Sequence, residues 1–100
     1  MTETMGKRAK KTGPIEGALR VWHIPQIPGK PFHVAVTSPR EAAVMLRTLA
    51  DYDLFQLEQR IKPDYANAQG LEVFEDGEWC EWSDDDGNEI GDAADALLAA

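Results

Sequence analysis

From Pro63 to its end the chain has neither lysine nor arginine. All ten basic side chains lie at or before Lys62, against six acidic ones there, a balance of +4. Residues 63–100 hold the other twelve acidic side chains, a balance of −12, and the whole chain carries −8. So one-sided a charge excludes phosphate gripping by the second part, and direct DNA binding is not expected. Cysteine occurs once, at Cys80, which rules out an internal disulfide and fits a reducing compartment. No apolar run approaches the ~20 residues of a membrane span. The basic residues near the start have no apolar stretch behind them and do not read as a secretory signal. A cytosolic location is expected.

Several chemistries also lack their residues. There is no Cys-x-x-Cys pair, no phosphate-binding glycine loop and no nucleophile motif. His23, His33 and Cys80 are the nitrogen and sulfur ligands available, and their spacing matches no metal pattern. Asp84-Asp85-Asp86-Gly87 invites a calcium reading. Aligning Gly87 with the glycine of an EF-hand loop, however, puts Trp82 at the first ligand position and Ala93 at the twelfth. No catalytic residue, metal or cofactor is assigned. The chain is read as a binding protein, not an enzyme.

What is present fits one α+β domain over residues 15–91. A flexible basic arm precedes it (1–14, with Lys7, Arg8, Lys10 and Lys11), and an acidic, Ala-rich tail or short helix follows (92–100). The expected architecture is a small antiparallel sheet of two β-hairpins packed on one or two helices. Residues 18–24 and 32–36 read as strands around a loop holding Pro25, Pro28 and Pro31. Centring that hairpin near Pro28 sets Trp22 opposite Val34 and Ile24 opposite Phe32, with His23 and His33 meeting on the other face. Ser38-Pro39-Arg40-Glu41 reads as a capping box. The stripe Ala42, Met45, Leu46, Leu49 then predicts a helix to about Ala50 or Tyr52. Residues 53–60 predict a second short helix ended by Pro63.

The sharpest signal is Asp76-Gly77 between two β-prone runs, the pattern of a type I′ hairpin. A two-residue turn fixes the register: Glu75 faces Glu78, Phe74 faces Trp79, Val73 faces Cys80, Glu72 faces Glu81 and Leu71 faces Trp82. Leu71, Val73, Cys80 and Trp82 then belong against the core. The opposite face sets Phe74 and Trp79 among Glu72 and Glu81, with like charges directly across from one another. Such pairs are unfavourable by roughly 0.2–1 kcal/mol. Aromatic rings ringed by carboxylates read as a docking face for a basic partner, comprising Glu72, Phe74, Glu75, Glu78, Trp79, Glu81, Asp84, Asp85 and Asp86. Spaced carboxylates can also stand where nucleic-acid phosphates would. The competing reading covers Phe74 and Trp79 with residues 53–60 and leaves the glutamates merely solvated.

The segments VWHIPQIP (21–28), LADYDLFQLEQRI (49–61) and KPDYANAQGLEVFEDGEWCEW (62–82) resemble small phage and prophage superinfection exclusion proteins, over roughly residues 20–83. The resemblance implies an accessory protein in the host bacterial cytosol that blocks a competitor phage or a bacterial defence, with anti-CRISPR action one form. Its expected partner is a basic, nucleic-acid-handling protein. The alternative is a homodimeric structural or assembly protein of a phage. The oligomeric state, monomer or homodimer, stays open.

Overall fold

A computed structural model describes residues 13–64 and 66–99; most of the expected basic arm lies outside them. The elements run β1 (Leu19–Ile24), β2 (Phe32–Val36), α1 (Pro39–Glu58), β3 (Ala68–Glu75), β4 (Glu78–Glu81) and α2 (Ile90–Ala99). The strands form one antiparallel sheet in the order β2-β1-β3-β4. Both helices pack on one face of it. Val21, Val36 and Leu71 of the sheet meet Ala42, Ala43 and Leu46 of α1 and Ile90 of α2, with Trp82, Leu97 and Leu98 closing the margin. The expected α+β architecture, a small antiparallel sheet of two hairpins packed on one or two helices, is the one observed, with two helices.

Two expectations are corrected. The helix does not break near Tyr52; α1 is continuous through Glu58. No glycine or proline interrupts residues 50–58. The buried stripe simply continues through Asp53, a polar residue at a core position that breaks the apolar pattern in the sequence. Ser38 caps the helix as expected, its Oγ accepting from the Glu41 backbone N–H at 3.1 Å. Glu41 itself reaches back one residue further, accepting from the Thr37 N–H and hydroxyl at 2.6 and 2.8 Å. At the other end Arg60 adopts φ 61°, and Ile61 N–H donates to Gln56 O at 2.8 Å, closing the last turn.

The second correction concerns register. Val21 pairs with Val34, Trp22 with His33 and His23 with Phe32, one residue away from the expected alignment. Val21 and His23 therefore point into the core, and Trp22 and Ile24 point out. The two histidines do not meet.

The inward turn of His23 is explained by its partners. It and Asp53 are each 1% exposed. Gln69 donates through Nε2 to Leu46 O at 3.1 Å, so its Oε1 is left to accept from His23 Nδ1 at 2.8 Å. His23 Nε2 lies 3.0 Å from Asp53 Oδ2. Both ring nitrogens face side-chain oxygens. Asp53 also accepts from Asn67 Nδ2 and sits 3.5 Å from Lys62 Nζ, which in turn donates to Pro25 O. One carboxylate thus joins β1, α1, the segment before β3 and the proline loop. Ile27 N–H to Ala66 O, at 2.6 Å, ties the same loop down.

Removing one member of such a cluster strands buried charge, at a typical cost of about 3–5 kcal/mol. Asp53→Ala is expected to lose stability of that order in urea denaturation. A loss below about 1 kcal/mol would show that the cluster does not hold these elements together.

Candidate functional site

The pairings β1–β3 and β3–β4 place an ordered array on the sheet face opposite the helices. Arg20, Glu72 and Glu81 stand side by side in one row. Trp22 and Gly70 occupy the next row, beside His33 of β2. Phe74 and Trp79 form the row on the turn side, with the backbone of Phe74 bonded to Gly17 and Ala18. Among the described residues no helix covers this face; α1 and α2 both lie on the other side of the sheet.

The hairpin register is the expected one at every pair from Glu75–Glu78 to Glu72–Glu81. Asp76 at φ 53° and Gly77 at φ 85° form its turn. Phe74 and Trp79 pack edge to face, ring centroids 5.3 Å apart and planes at 65°. Both are half-buried, but residues 53–60 do not cover them. Arg20 does: its guanidinium carbon lies 4.1 Å from the Trp79 ring centroid, and its Nε donates to Glu72 Oε1 at 2.7 Å. The cation eases the repulsion between Glu72 and Glu81, and its stacking on the ring contributes about 0.5–1 kcal/mol. Arg20 is the residue that the sequence reading missed on this face.

Not all of the nine expected residues present themselves to solvent. Glu75, Glu78, Glu81, Asp85 and Asp86 are exposed. Glu72 is engaged by Arg20. Asp84 turns back on its own loop: its Oδ1 accepts from the Asp86 and Asn88 backbone N–H groups at 2.9 and 2.8 Å, and Oδ2 accepts from Asn88 Nδ2 at 3.2 Å. Asp84 N–H to Asn88 O and a bridge between Ser83 and Glu89 close the loop. Its role is to shape the acidic loop, a common use of aspartate at a turn. Glu89, beyond the expected residues, meets Glu81 across the mouth of this loop.

These contacts displace titrations in opposite directions. The Asn88 backbone N–H, followed by the Asn88 side chain and the Asp86 and Gly87 amides, holds the Asp84 carboxyl below its usual range. The charge of Glu81, then a hydrogen bond with it, pushes the Glu89 carboxyl up. Partial desolvation, then the carboxylates of Glu78, Glu75, Asp76 and Glu16, push the Cys80 thiol up.

Among the described residues no helix is long and apolar enough to cross a membrane, and no group of three or more His, Cys, Asp or Glu side chains could hold a metal ion.

For Asp84 the folded value lies below the unfolded one, so its contribution is full above the ordinary 3.8 and is lost as pH falls through the lowered value. For Glu89 the sign reverses: its interaction is most favourable below the ordinary 4.5 and weakens as pH rises through the raised value. Carbon-detected NMR titration of the side-chain carboxyls should place Asp84 below and Glu89 above their ordinary ranges. Asp84→Ala should speed hydrogen exchange at the Asp86 and Asn88 amides. Coincident titrations and unchanged exchange would contradict this loop geometry.

No solved structure matches the chain. A superinfection exclusion protein of Salmonella phage P22 is 59% identical over 58 residues, which make up 58% of this chain and 56% of that protein's length. The family described as superinfection exclusion gene product 17 matches residues 18–99, every element of the fold from β1 to α2. The chain belongs to that family.

Proposed function

We propose that the protein is a phage- or prophage-encoded superinfection exclusion factor that acts by binding, docking its helix-free sheet face, the hairpin tip beside it and its acidic loop on a basic protein partner. The observation that carries this reading is a half-buried aromatic pair beside Arg20, Glu72 and Glu81 on one sheet face, with Glu75 and Glu78 exposed at the adjoining hairpin tip and Asp85 and Asp86 exposed on the loop after β4. A hairpin selected for stability alone would alternate charges across the Glu72–Glu81 and Glu75–Glu78 pairs. Here Arg20 eases the Glu72–Glu81 pair while the like-charged Glu75–Glu78 pair is retained, and exposed carboxylates raise the encounter rate with a positively charged surface. The half-buried rings supply the apolar anchor.

The partner class follows from that charge. A surface of carboxylates carried on a rigid hairpin suits a protein whose own site is built for phosphates, such as a nucleic-acid-handling factor of a competing phage or of a bacterial defence. Anti-CRISPR action and nucleic-acid mimicry are specific forms of this proposal. Binding of this kind weakens as salt rises.

A second reading, as a homodimer, draws on a different surface. Tyr52 and Phe55, 54% and 52% exposed, lie three residues apart on α1, with Ile61 65% exposed beyond its end. Sedimentation separates the two: a tight dimer that resists high salt supports the homodimer, and a monomer at high concentration removes it.

The triple substitution Glu75→Lys, Glu78→Lys and Asp85→Lys changes exposed side chains only. It is expected to leave the circular dichroism spectrum unchanged and to restore plating of a superinfecting phage on cells expressing the protein. Exclusion at full strength by the folded variant would refute the docking face.

A further inference from the structure

Among the described residues no strand lies beside the outer edge of β3 before Leu71. β4 pairs with Glu72–Glu75, and the chain leaves the sheet after Trp82 N–H donates to Leu71 O at 3.0 Å. Phe74 exchanges backbone bonds with Gly17 and Ala18 on the β1 side. Alternation then points the backbone groups of Glu72 and Gly70 towards β1, and those of Leu71 and Gln69 the other way. The Gln69 carbonyl therefore faces the open edge.

At that edge lies a cleft of about 340 Å³. Its walls are apolar, from Ala43 and Leu46 of α1 and Ile90 and Ala94 of α2, and Trp22, Glu81 and Glu89 stand around it. Gly70 is what lets the Trp22 indole reach this place: a Cβ there would sit 2.6 Å from Trp22 Nε1 and 2.8 Å from Cε2. Glu81 and Glu89 face one another, and among the described residues neither has a cationic partner. Arg47 borders the cleft, but its guanidinium is bound to Asp95 at 3.0 Å.

We propose that this cleft receives an arginine side chain of the basic partner. The inference rests on the docking-face reading and narrows it to one anchoring contact. A guanidinium offers five donors in a planar fork, enough to bridge both carboxylates and the Gln69 carbonyl. Its plane suits stacking on an indole, and its methylene stem suits apolar walls. A lysine ammonium is a compact point charge that satisfies these groups less completely. The volume lies near the lower end of ordinary ligand pockets, roughly 300–1,000 Å³.

The test uses the full-length, nitrogen-labelled protein titrated with N-acetyl-argininamide. N-acetyl-citrullinamide serves as the neutral analogue of the same shape and N-acetyl-lysinamide as the ammonium probe. Saturable shifts at the Trp22 indole N–H and the Gly70 and Gly91 amides are expected with the arginine probe, with binding about tenfold weaker for the citrulline probe and intermediate for the lysine one. The double substitution Glu81→Gln and Glu89→Gln removes a like-charge contact and should keep the fold while losing the response. Glu58→Gln, exposed at the end of α1, should leave it intact. No shift at these resonances, an equal response to citrulline, or full binding by the double variant would overturn the proposal. If any of these occurs while Glu75→Lys/Glu78→Lys/Asp85→Lys still abolishes exclusion, the cleft falls alone and the docking face stands. Undiminished exclusion by that triple variant overturns the docking face and, with it, this assignment of the cleft.

Discussion

The fold depends on a buried carboxylate. Asp53 sits 1% exposed among His23, Lys62 and Asn67, and a domain of this size has few apolar side chains to spare for the same position. Burying that charge is tolerable because its oxygens are met by donors from three separate segments. The consequence reaches across the sheet. With His23 fixed inward, strand alternation turns Arg20 and Trp22 outward. A hydrogen-bonded cluster on one side of the sheet thus decides which residues decorate the other.

That other side has a consistent electrostatic logic. Arg20 is a cation beside Glu72 and Glu81, and it is engaged twice, by Glu72 and by the Trp79 ring. It stabilises the aromatic pair and leaves Glu81 exposed on the same row, with Glu75 and Glu78 exposed at the hairpin tip and Asp85 and Asp86 on the acidic loop. Asp84 plays an internal part by holding the loop that carries Asp85 and Asp86. The acidic surface is therefore a set of positions fixed by a hairpin register and a hydrogen-bonded turn. A fixed array of charge loses less entropy on binding than a floppy one would.

How much of this was legible in the sequence follows from how locally each feature is determined. The second hairpin was legible in every pair because Asp76-Gly77 dictates its register within a few residues. The first was misaligned by one because its connection, residues 25–31, is long enough to permit either alternation, and Trp22 looks more like core than His23 does. Nothing local announces that His23 has buried partners more than 25 residues away. The same Asp53 that supplies one of them interrupts the apolar stripe of α1, which is why a continuous helix reads as two. Arg20 reaches Glu72 only through the β1–β3 pairing, a contact between residues 52 apart, and the cleft beside Gly70 exists only where that pairing outlasts β4. Family membership was legible for a different reason: it rests on the likeness of whole segments and needs no tertiary contact.

The central claim is that the working surface is the sheet face bearing Trp22, Phe74 and Trp79, and not the helical face bearing Tyr52 and Phe55. Hydroxyl-radical footprinting of the protein in cells during superinfection tests it most directly, since all five rings report by their oxidation. The account predicts protection of Trp22, Phe74 and Trp79 relative to the isolated protein, with Tyr52 and Phe55 unchanged. Protection confined to Tyr52 and Phe55, with the sheet-face rings oxidised as in the isolated protein, would contradict it.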